Sequence, residues 1–247
     1  MDFFEIFKKK KKLADLSGLS TDMHSHLLPG IDDGSPDVET SIILIKGLME
    51  LGYKKFITTP HIMWDIYQNT HETIKAAHTV LKDALKKEKI KVHIKAAAEY
   101  FLDDHFDQLL DHSTPLLTIH NNLVLVEFSF VNSPFDLKEK LFKMQVSGYQ
   151  PVLAHPERYL YLKHNKELFD SLKDAGCLFQ LNLLSLSNYY GKASTELAHY
   201  LIKKNYVDLL GTDLHHTRHL EALKYSGSTM DTINRLLDSG KILNPTF

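Results

Sequence analysis

Cysteine is almost absent from this chain of 247 residues, and its scarcity excludes several kinds of site. The only cysteine is Cys177, so neither an internal disulfide nor a zinc site built on several thiolates can form within the chain. A catalytic Cys-x5-Arg loop is excluded as well, because the position that would need arginine holds Leu183. A single cysteine fits a reducing compartment, and we expect a cytoplasmic protein.

Long apolar runs and an excess of one charge are also lacking. No apolar stretch reaches the length that spans a bilayer. Lysine and arginine number 29 against 31 aspartates and glutamates, and this net charge of −2 argues against nucleic acid as a partner. The local exception is an amphipathic N-terminal segment, residues 1–17, which carries lysine at positions 8–12. This segment could touch a membrane surface or another subunit. We favour the alternative that it packs on the domain and leaves its lysines in solvent.

Seven short apolar runs, often β-branched, alternate with helix-like segments along the chain. We expect strands over residues 20–24, 55–59, 92–98, 123–128, 151–155, 177–183 and 206–211. Helices are predicted over residues 36–51, 70–89, 136–147, 166–175 and 194–204, with Ser35 as the first N-cap and stop residues such as Gly52 and Asn205. Repeated strand–helix units imply parallel strands, and seven suit a closed or nearly closed α/β barrel formed by one domain, residues 18–247.

Histidine is unusually abundant, with 15 residues, and several lie at the ends of the predicted strands. Six of the seven apolar runs end in a histidine or a carboxylate. In a parallel barrel these carboxyl ends converge on one rim, where active sites form. We therefore expect the following side chains to lie together: His24, His26, His61, Glu99, Glu127, His155, Asp213 and His215.

Such a rim predicts a metal centre. Strand residues two apart face the same way, so His24 and His26 can ligate one ion together. Buried carboxylates at this density would repel one another unless cations balanced them. One histidine alone is more often structural than a ligand, and the prediction depends on the repetition at strand ends. Imidazole and carboxylate ligands without sulfur suit zinc, manganese or iron.

The same motifs, in this order, resemble the polymerase and histidinol phosphatase (PHP) superfamily. They are Asp22-Met23-His24-Ser25-His26, Thr59-Pro60-His61, Glu99, His155 and Asp213-Leu214-His215. Residues 26–34, 98–100, 127–129 and 155–159 further resemble its bacterial protein-tyrosine phosphatase branch, which is found with capsule and exopolysaccharide export systems. The resemblance extends from about residue 21 to residue 244.

The resemblance implies a distorted (β/α)7 TIM-like barrel, the PHP fold, and a cluster of three divalent metal ions. Manganese is expected first, with iron or zinc as alternatives. Carried over by motif, the ligands divide into His24, His26 and Asp213 for the first ion, Glu99 as a bridge to a second held by Glu127 and His155, and Asp33, His61 and His215 for the third. Whether Asp33 or its neighbour Asp32 is the ligand stays open, because either residue can cap the turn instead.

The implied reaction is hydrolysis of phosphotyrosine by metal-activated hydroxide. The implied substrate is a phosphotyrosine protein, namely a membrane-associated bacterial tyrosine kinase of capsule or exopolysaccharide synthesis. Two arginines near the rim, Arg158 and Arg218, are placed to grip phosphate, although either could form a surface ion pair instead. A phenolate leaving group has a pKa of about 10, so it needs less help from a general acid than an alkoxide does.

Other functions share the predicted ligands. A histidinol-phosphate or other small-molecule phosphomonoesterase would use the same cluster, so the ligands do not discriminate between these substrates. A polymerase-associated nuclease fits the near-neutral charge poorly, and a non-catalytic metal-binding scaffold would not require a full ligand set. His216 and His219 lie close to the site in sequence and remain unassigned, and aromatic residues such as Phe130 can equally line the rim or anchor a loop.

Overall fold

The computed structural model of the chain describes residues 13–247 as alternating parallel strands and helices. The strands are β1 (Thr21–Asp22), β2 (Lys55–Thr58), β3 (His61–Ile62), β4 (His93–Ala96), β5 (Glu99–Phe101), β6 (Leu123–Glu127), β7 (Gln150–Ala154), β8 (Leu178–Asn182) and β9 (Val207–Gly211). The α-helices are α1 (Val38–Glu50), α2 (His71–Lys87), α3 (Asp104–Asp111), α4 (Leu137–Val146), α5 (Glu167–Asp174), α6 (Lys192–Lys203), α7 (Thr217–Lys224) and α8 (Met230–Asp238).

The strands close into a barrel. Three of them pair in the order β1-β2-β4 and six in the order β3-β5-β6-β7-β8-β9, always in parallel. The ring closes between its first and last members, where the Asp213 N–H donates to the His24 carbonyl at 2.8 Å and the His26 N–H to the Leu214 carbonyl at 2.9 Å. Since β2 leads into β3 and β4 into β5, the nine strands occupy seven positions around the barrel, which we call staves. The predicted distorted (β/α)7 barrel is confirmed.

Two staves continue beyond the strands predicted over residues 55–59 and 92–98, after a break in each. The first break falls at Thr59 and Pro60, where proline has no N–H to donate, and the second at Ala97 and Ala98. Backbone pairing resumes beyond each break, with the Glu99 N–H donating to the Pro60 carbonyl at 3.0 Å. The displaced strand ends place His61 and Glu99 directly opposite each other in register.

The apolar core has two parts. The smaller cluster takes residues from most staves, including Leu123 and Leu125 on β6 and Val152 and Ala154 on β7, and fills the barrel interior. The larger cluster packs the helices against the outside of the barrel. Because alternate strand residues share a face, Glu127 continues the inward face of Leu125 and reaches the interior at the carboxyl end.

The helix boundaries correct one prediction. Helix α1 begins at Val38, and its N-cap is Asp37, whose Oδ1 accepts the Thr40 N–H at 2.7 Å. Ser35 is therefore not the N-cap; its hydroxyl instead donates to the Asp37 carbonyl at 2.9 Å. Gly52 adopts the left-handed backbone expected of a helix stop, with φ +103°. The short helices α3, α7 and α8 were not predicted.

The last part of the predicted N-terminal segment packs on the barrel. Ala14 and Leu16 are buried, and the Leu16 N–H donates to the Leu51 carbonyl at 2.7 Å. Residues 1–12, which include the lysine run, lie outside the described residues, so the predicted contact of this run with a membrane or another subunit stays a prediction. Between residues 13 and 247, no helix is long and apolar enough to cross a membrane.

Candidate metal centre

The predicted ligands converge at the carboxyl end of the barrel, at the floor of a cavity of about 230 Å³. Eight of them contribute to groups whose donor atoms lie within 4.8 Å of one another. The ninth, His155, lies beside these groups with its Nε2 3.1 Å from Glu99 Oε1. The barrel thus brings together all nine predicted ligands: His24, His26, Asp33, His61, Glu99, Glu127, His155, Asp213 and His215.

The deepest group consists of four fully buried side chains, His24, His26, Glu99 and Asp213. His24 Nε2 lies 3.2 Å from Glu99 Oε2 and 3.3 Å from Asp213 Oδ1. His26 Nε2 lies 3.4 Å from Glu99 Oε2 and 3.5 Å from Asp213 Oδ1. Metal–ligand bonds of about 2.1 Å in a tetrahedron separate neighbouring ligands by about 3.4 Å, so these four donors have the spacing of one coordination shell.

Two more groups share residues with the first. In one of them, Asp33 Oδ1 lies 3.4 Å from His61 Nε2 and 3.5 Å from His215 Nε2. In the other, His61 Nδ1 lies 2.9 Å from Glu127 Oε1 and 3.3 Å from Glu99 Oε2. Glu99 directs Oε2 at the deepest group and Oε1 at His155, which is the geometry of a bridging carboxylate.

The structure adds one contact to the predicted division of ligands. The prediction pairs Glu127 with His155, and His155 Nε2 is 4.0 Å from the nearer Glu127 oxygen, a separation that two ligands of one ion can have. The imidazole closest to Glu127 is that of His61, which contacts Asp33 through its other nitrogen. His61 therefore sits between two of the groups.

Asp32 and Asp33 occupy different positions. The Asp32 side chain is buried, and its Oδ2 accepts the Nδ1–H of His26 at 2.8 Å and the His61 N–H at 3.1 Å. The Asp33 side chain is half exposed and faces the cavity. Asp33 thus has the place of a ligand, and Asp32 that of a residue that orients ligands.

Hydrogen bonds on the far side of three rings set their tautomers. The Nδ1–H of His24 donates to Gln180 Oε1 at 2.7 Å, and that of His215 to the Asp213 carbonyl at 2.8 Å. His26 donates from Nδ1 to Asp32 in the same way. With the proton fixed on Nδ1, each ring presents the Nε2 lone pair to the centre, as metal binding requires.

The electrostatics show that the buried carboxylates of the site need positive charge beside them. Burial alone would raise the pKa of Glu99, but the adjacent His24 holds that pKa well below its usual value. Burial would lower the pKa of His61, yet Glu127 and other carboxylates raise it well above the usual value. In the metal-free protein, imidazolium protons therefore balance the buried carboxylates, at the positions where bound cations would do so.

Buried atoms without hydrogen-bond partners also indicate that the cluster would bind cations. Over residues 13–247, they include Glu99 Oε1, Glu127 Oε1 and His61 Nδ1, each aimed into the cluster. His61 Nδ1 and Glu127 Oε1 lie 2.9 Å apart without the angles of a hydrogen bond. Groups that converge on one point without bonding to each other fit a common cation, and the nitrogen and oxygen donor set fits a divalent metal.

A comparison with known protein families shows the family to which this chain belongs. The family described as capsular polysaccharide synthesis, CpsB/CapC, matches residues 20–230. The chain belongs to this family. The resemblance to the capsule-type tyrosine phosphatase branch is thereby confirmed.

Relatives and solved structures agree with this membership. The tyrosine-protein phosphatase YwqE of Bacillus subtilis is 29% identical over 197 residues, covering 80% of this chain and 78% of YwqE. The tyrosine-protein phosphatase CpsB of Streptococcus pneumoniae is 27% identical over 200 residues, covering 78% and 82%. A crystal structure from work on YwqE and on CpsB from S. pneumoniae, described as metal-dependent tyrosine phosphatases, has a TM-score of 0.75 at 28% identity and covers 83% of this chain and 85% of that one. An amidohydrolase from Mycoplasma synoviae, with a TM-score of 0.52 at 12% identity, shares the fold alone.

The two predicted arginines have different positions relative to the CpsB/CapC-type site. Arg158 lines the cavity, and its Nη1 donates to Asp213 Oδ2 at 2.7 Å. Its guanidinium carbon lies 4.7 Å from the ring centre of Phe130 and 4.4 Å from that of Tyr190, so two aromatic faces hold its plane. Arg218 is exposed on α7 and does not line the cavity.

Several residues at the centre were not predicted as functional. Gln180 and Asn182 on β8 are fully buried, and Asn182 Nδ2 donates to Asp213 Oδ2 at 3.0 Å. A polar residue inside an apolar strand is the only signal that could have marked Gln180. His216 and His219, unassigned from the sequence, both line the cavity.

Proposed function

We propose that this chain is a metal-dependent protein-tyrosine phosphatase that acts on a bacterial tyrosine kinase of capsule or exopolysaccharide synthesis. The observation that carries the proposal is the set of interlocking donor groups on the floor of an open cavity whose wall holds Arg158. The family description and the tyrosine phosphatase names of the relatives support this choice among phosphomonoesterases.

We further propose three divalent ions, with manganese first and iron or zinc as alternatives. The ligands would be His24, His26, Glu99 and Asp213 for the first ion, Glu99, Glu127 and His155 for the second, and Asp33, His61 and His215 for the third. When bound, such ions lower the pKa of a coordinated water and stabilise negative charge on phosphoryl oxygens.

Arg158 supplies the protein's own contact to phosphate. In-line displacement spreads negative charge over the phosphoryl oxygens, and a guanidinium offers several N–H donors in one plane to such oxygens. One nitrogen of Arg158 is held by Asp213, and the rings of Phe130 and Tyr190 fix the plane, so the remaining donors are oriented in advance. Arg218, outside the cavity, stays a prediction for phosphate contact.

The partner and location belong to the same proposal. A phosphotyrosine side chain on a protein needs an open site, and the cavity at the barrel rim is lined by the exposed Phe130 and by His219 in the first turn of α7. We place the protein in the cytoplasm, with its substrate kinase at the membrane. Contact of residues 1–17 with a membrane or with a second copy of the chain is the remaining part of this proposal.

The test is phosphate release from a phosphotyrosine peptide, a phosphoserine peptide and histidinol phosphate by metal-loaded protein. His155→Ala and Arg158→Gln are the site variants, and Glu221→Gln, on the exposed face of α7, is the control. We expect the phosphotyrosine peptide to be hydrolysed fastest by wild type and control. Chelation and His155→Ala should abolish the activity, and Arg158→Gln should raise KM.

Each alternative has its own outcome. Faster hydrolysis of histidinol phosphate would leave the site in place and replace the substrate. Tight metal binding without hydrolysis of any of the three would favour a non-catalytic scaffold. Full activity of the His155→Ala protein would contradict the proposed centre.

A further inference from the structure

Two histidines on the cavity wall have the opposite tautomer from the ligand histidines. The His215 N–H points at Nδ1 of His219 at 3.4 Å, and the His219 N–H donates to Nδ1 of His216 at 3.2 Å, where His216 caps α7. A backbone N–H only donates, so Nδ1 of both rings must accept. The single proton of each neutral ring is then on Nε2, whereas His24, for example, carries it on Nδ1.

The tautomer decides what these rings can bind. An Nε2 that carries a proton has no lone pair for a metal ion, and it is a hydrogen-bond donor instead. His219 is only 9% exposed, and across residues 13–247 its Nε2 has no hydrogen-bond partner, although the ring lines the cavity. His219 Nε2 is not one of the buried atoms without a partner, so this donor is open to solvent on a ring that lines the cavity, where a ligand acceptor or water can pair with it.

The residues that line the cavity indicate which acceptor would bind to His219. Its wall runs from Arg158 across Tyr190 to His219, with the Tyr190 ring centre 4.4 Å from the guanidinium carbon and 6.2 Å from the His219 ring centre. Arg158, His219 and Asp213 thus line the same cavity. A phosphoryl group presents only acceptor oxygens to these two donors.

We propose that His219 is a phosphate-binding residue whose Nε2–H donates to a phosphoryl oxygen in the cavity that Arg158 also lines. The inference depends on the proposed phosphatase function. It assigns to His219 the contact that the sequence suggested for Arg218, since Arg218 points out of the cavity and His219 points in. His216 is a positioning residue that holds the start of α7 through its Nδ1.

The first experiment is calorimetric titration of metal-loaded protein with inorganic phosphate, with metal content measured on each variant. His219→Leu removes the donor, His219→Gln keeps an amide N–H at a similar reach, and Glu221→Gln is the control on the same helix. A hydrogen bond to a charged acceptor corresponds to about a tenfold to hundredfold change in affinity. We expect that loss in His219→Leu at unchanged metal content, with partial recovery in His219→Gln.

Phosphate affinity of His219→Leu within twofold of wild type would overturn the proposal. So would the same loss in Arg218→Gln with no effect of either His219 variant. Because His219 contacts the backbone of His215, the leucine variant could instead lose metal; the second experiment decides that case.

The second experiment is nitrogen-15 NMR of the metal-free protein with labelled histidine. His219 should show a protonated Nε2 and an unprotonated Nδ1, and in the zinc-loaded protein its Nε2 signal should move when phosphate is added. A proton on Nδ1, or a signal that phosphate does not move, would overturn the assignment. Phosphate binding is separate from turnover, so a protein that binds phosphate through His219 without hydrolysing phosphotyrosine would contradict only the proposed function.

Discussion

Replacing Gln180 with leucine tests how the centre holds its ions. Gln180 is fully buried on β8, and its Oε1 accepts the Nδ1–H of His24 at 2.7 Å. Leucine fills a similar volume and offers no acceptor. The His24 ring, itself fully buried, then has a donor without a partner whenever its Nε2 faces a metal ion.

The size of the effect follows from this one hydrogen bond. A buried donor without a partner costs about 1–3 kcal/mol, which corresponds to about a fivefold to 150-fold change in an equilibrium constant. Part of this loss falls on metal affinity, because a bound ion occupies Nε2 and thereby fixes the remaining proton of His24 on Nδ1. Removal of hydrogen bonds that orient metal ligands weakens metal binding by about 10–100-fold in general, which is the range we expect for Gln180→Leu.

Calorimetric titration of metal-stripped protein with Mn²⁺ or Zn²⁺ measures this directly. The control is Gln150→Leu, at the opposite end of the neighbouring strand β7, where the side chain donates to the Gly176 carbonyl away from the centre. The control should bind metal as the wild type does. Equal metal affinity of Gln180→Leu and wild type would refute the role given to this hydrogen bond.

Three further predictions concern pH, space and packing. Carboxylate neighbours raise the pKa of His26 and His61 well above 6.5, so their stabilisation of the metal-free protein is complete below pH 6.5 and is lost as pH rises through the raised values. Calorimetry should show its unfolding temperature falling above pH 6.5, and a rising temperature there would contradict this. Gly211→Ala should weaken metal binding in the same titration, because a Cβ at this position lies 2.8 Å from the Cβ of His24; unchanged affinity would count against it. Leu16→Ala should lower the free energy of unfolding in urea by about 2–5 kcal/mol, since Leu16 is buried, whereas a change under 1 kcal/mol would mean that this segment does not pack on the barrel.

Much of the fold was predictable because each strand of the barrel carries its own signal. Short apolar runs end at turn residues, and helices stop at residues such as Gly52, so the number and order of the seven staves follow from local patterns. The breaks at Pro60 and Ala97 did not follow from those patterns, because they depend on how neighbouring staves pair. Helices α3 and α7 have eight residues each, too few for periodicity to distinguish them from a loop.

At the centre, residue type and place in the chain were enough to predict which side chains the barrel brings together. A histidine or carboxylate at the carboxyl end of a parallel strand has one rim to face, whatever its neighbours are. The choice between Asp32 and Asp33 needed coordinates, because adjacent residues in a turn point in directions that composition does not determine. The contact between His61 and Glu127 likewise depends on the break before β3.

The tautomers explain why the remaining residues escaped prediction. Whether an imidazole binds a metal ion or donates to a ligand depends on the partner of its other nitrogen, and that partner comes from elsewhere in the chain. His24 pairs with Gln180, which is 156 positions away, and therefore faces the centre with a lone pair. His219 receives a backbone N–H from His215 and faces the same cavity with a proton. Two histidines that look alike in the sequence thus have opposite tautomers, and only the folded barrel distinguishes the candidate ligand from the proposed donor.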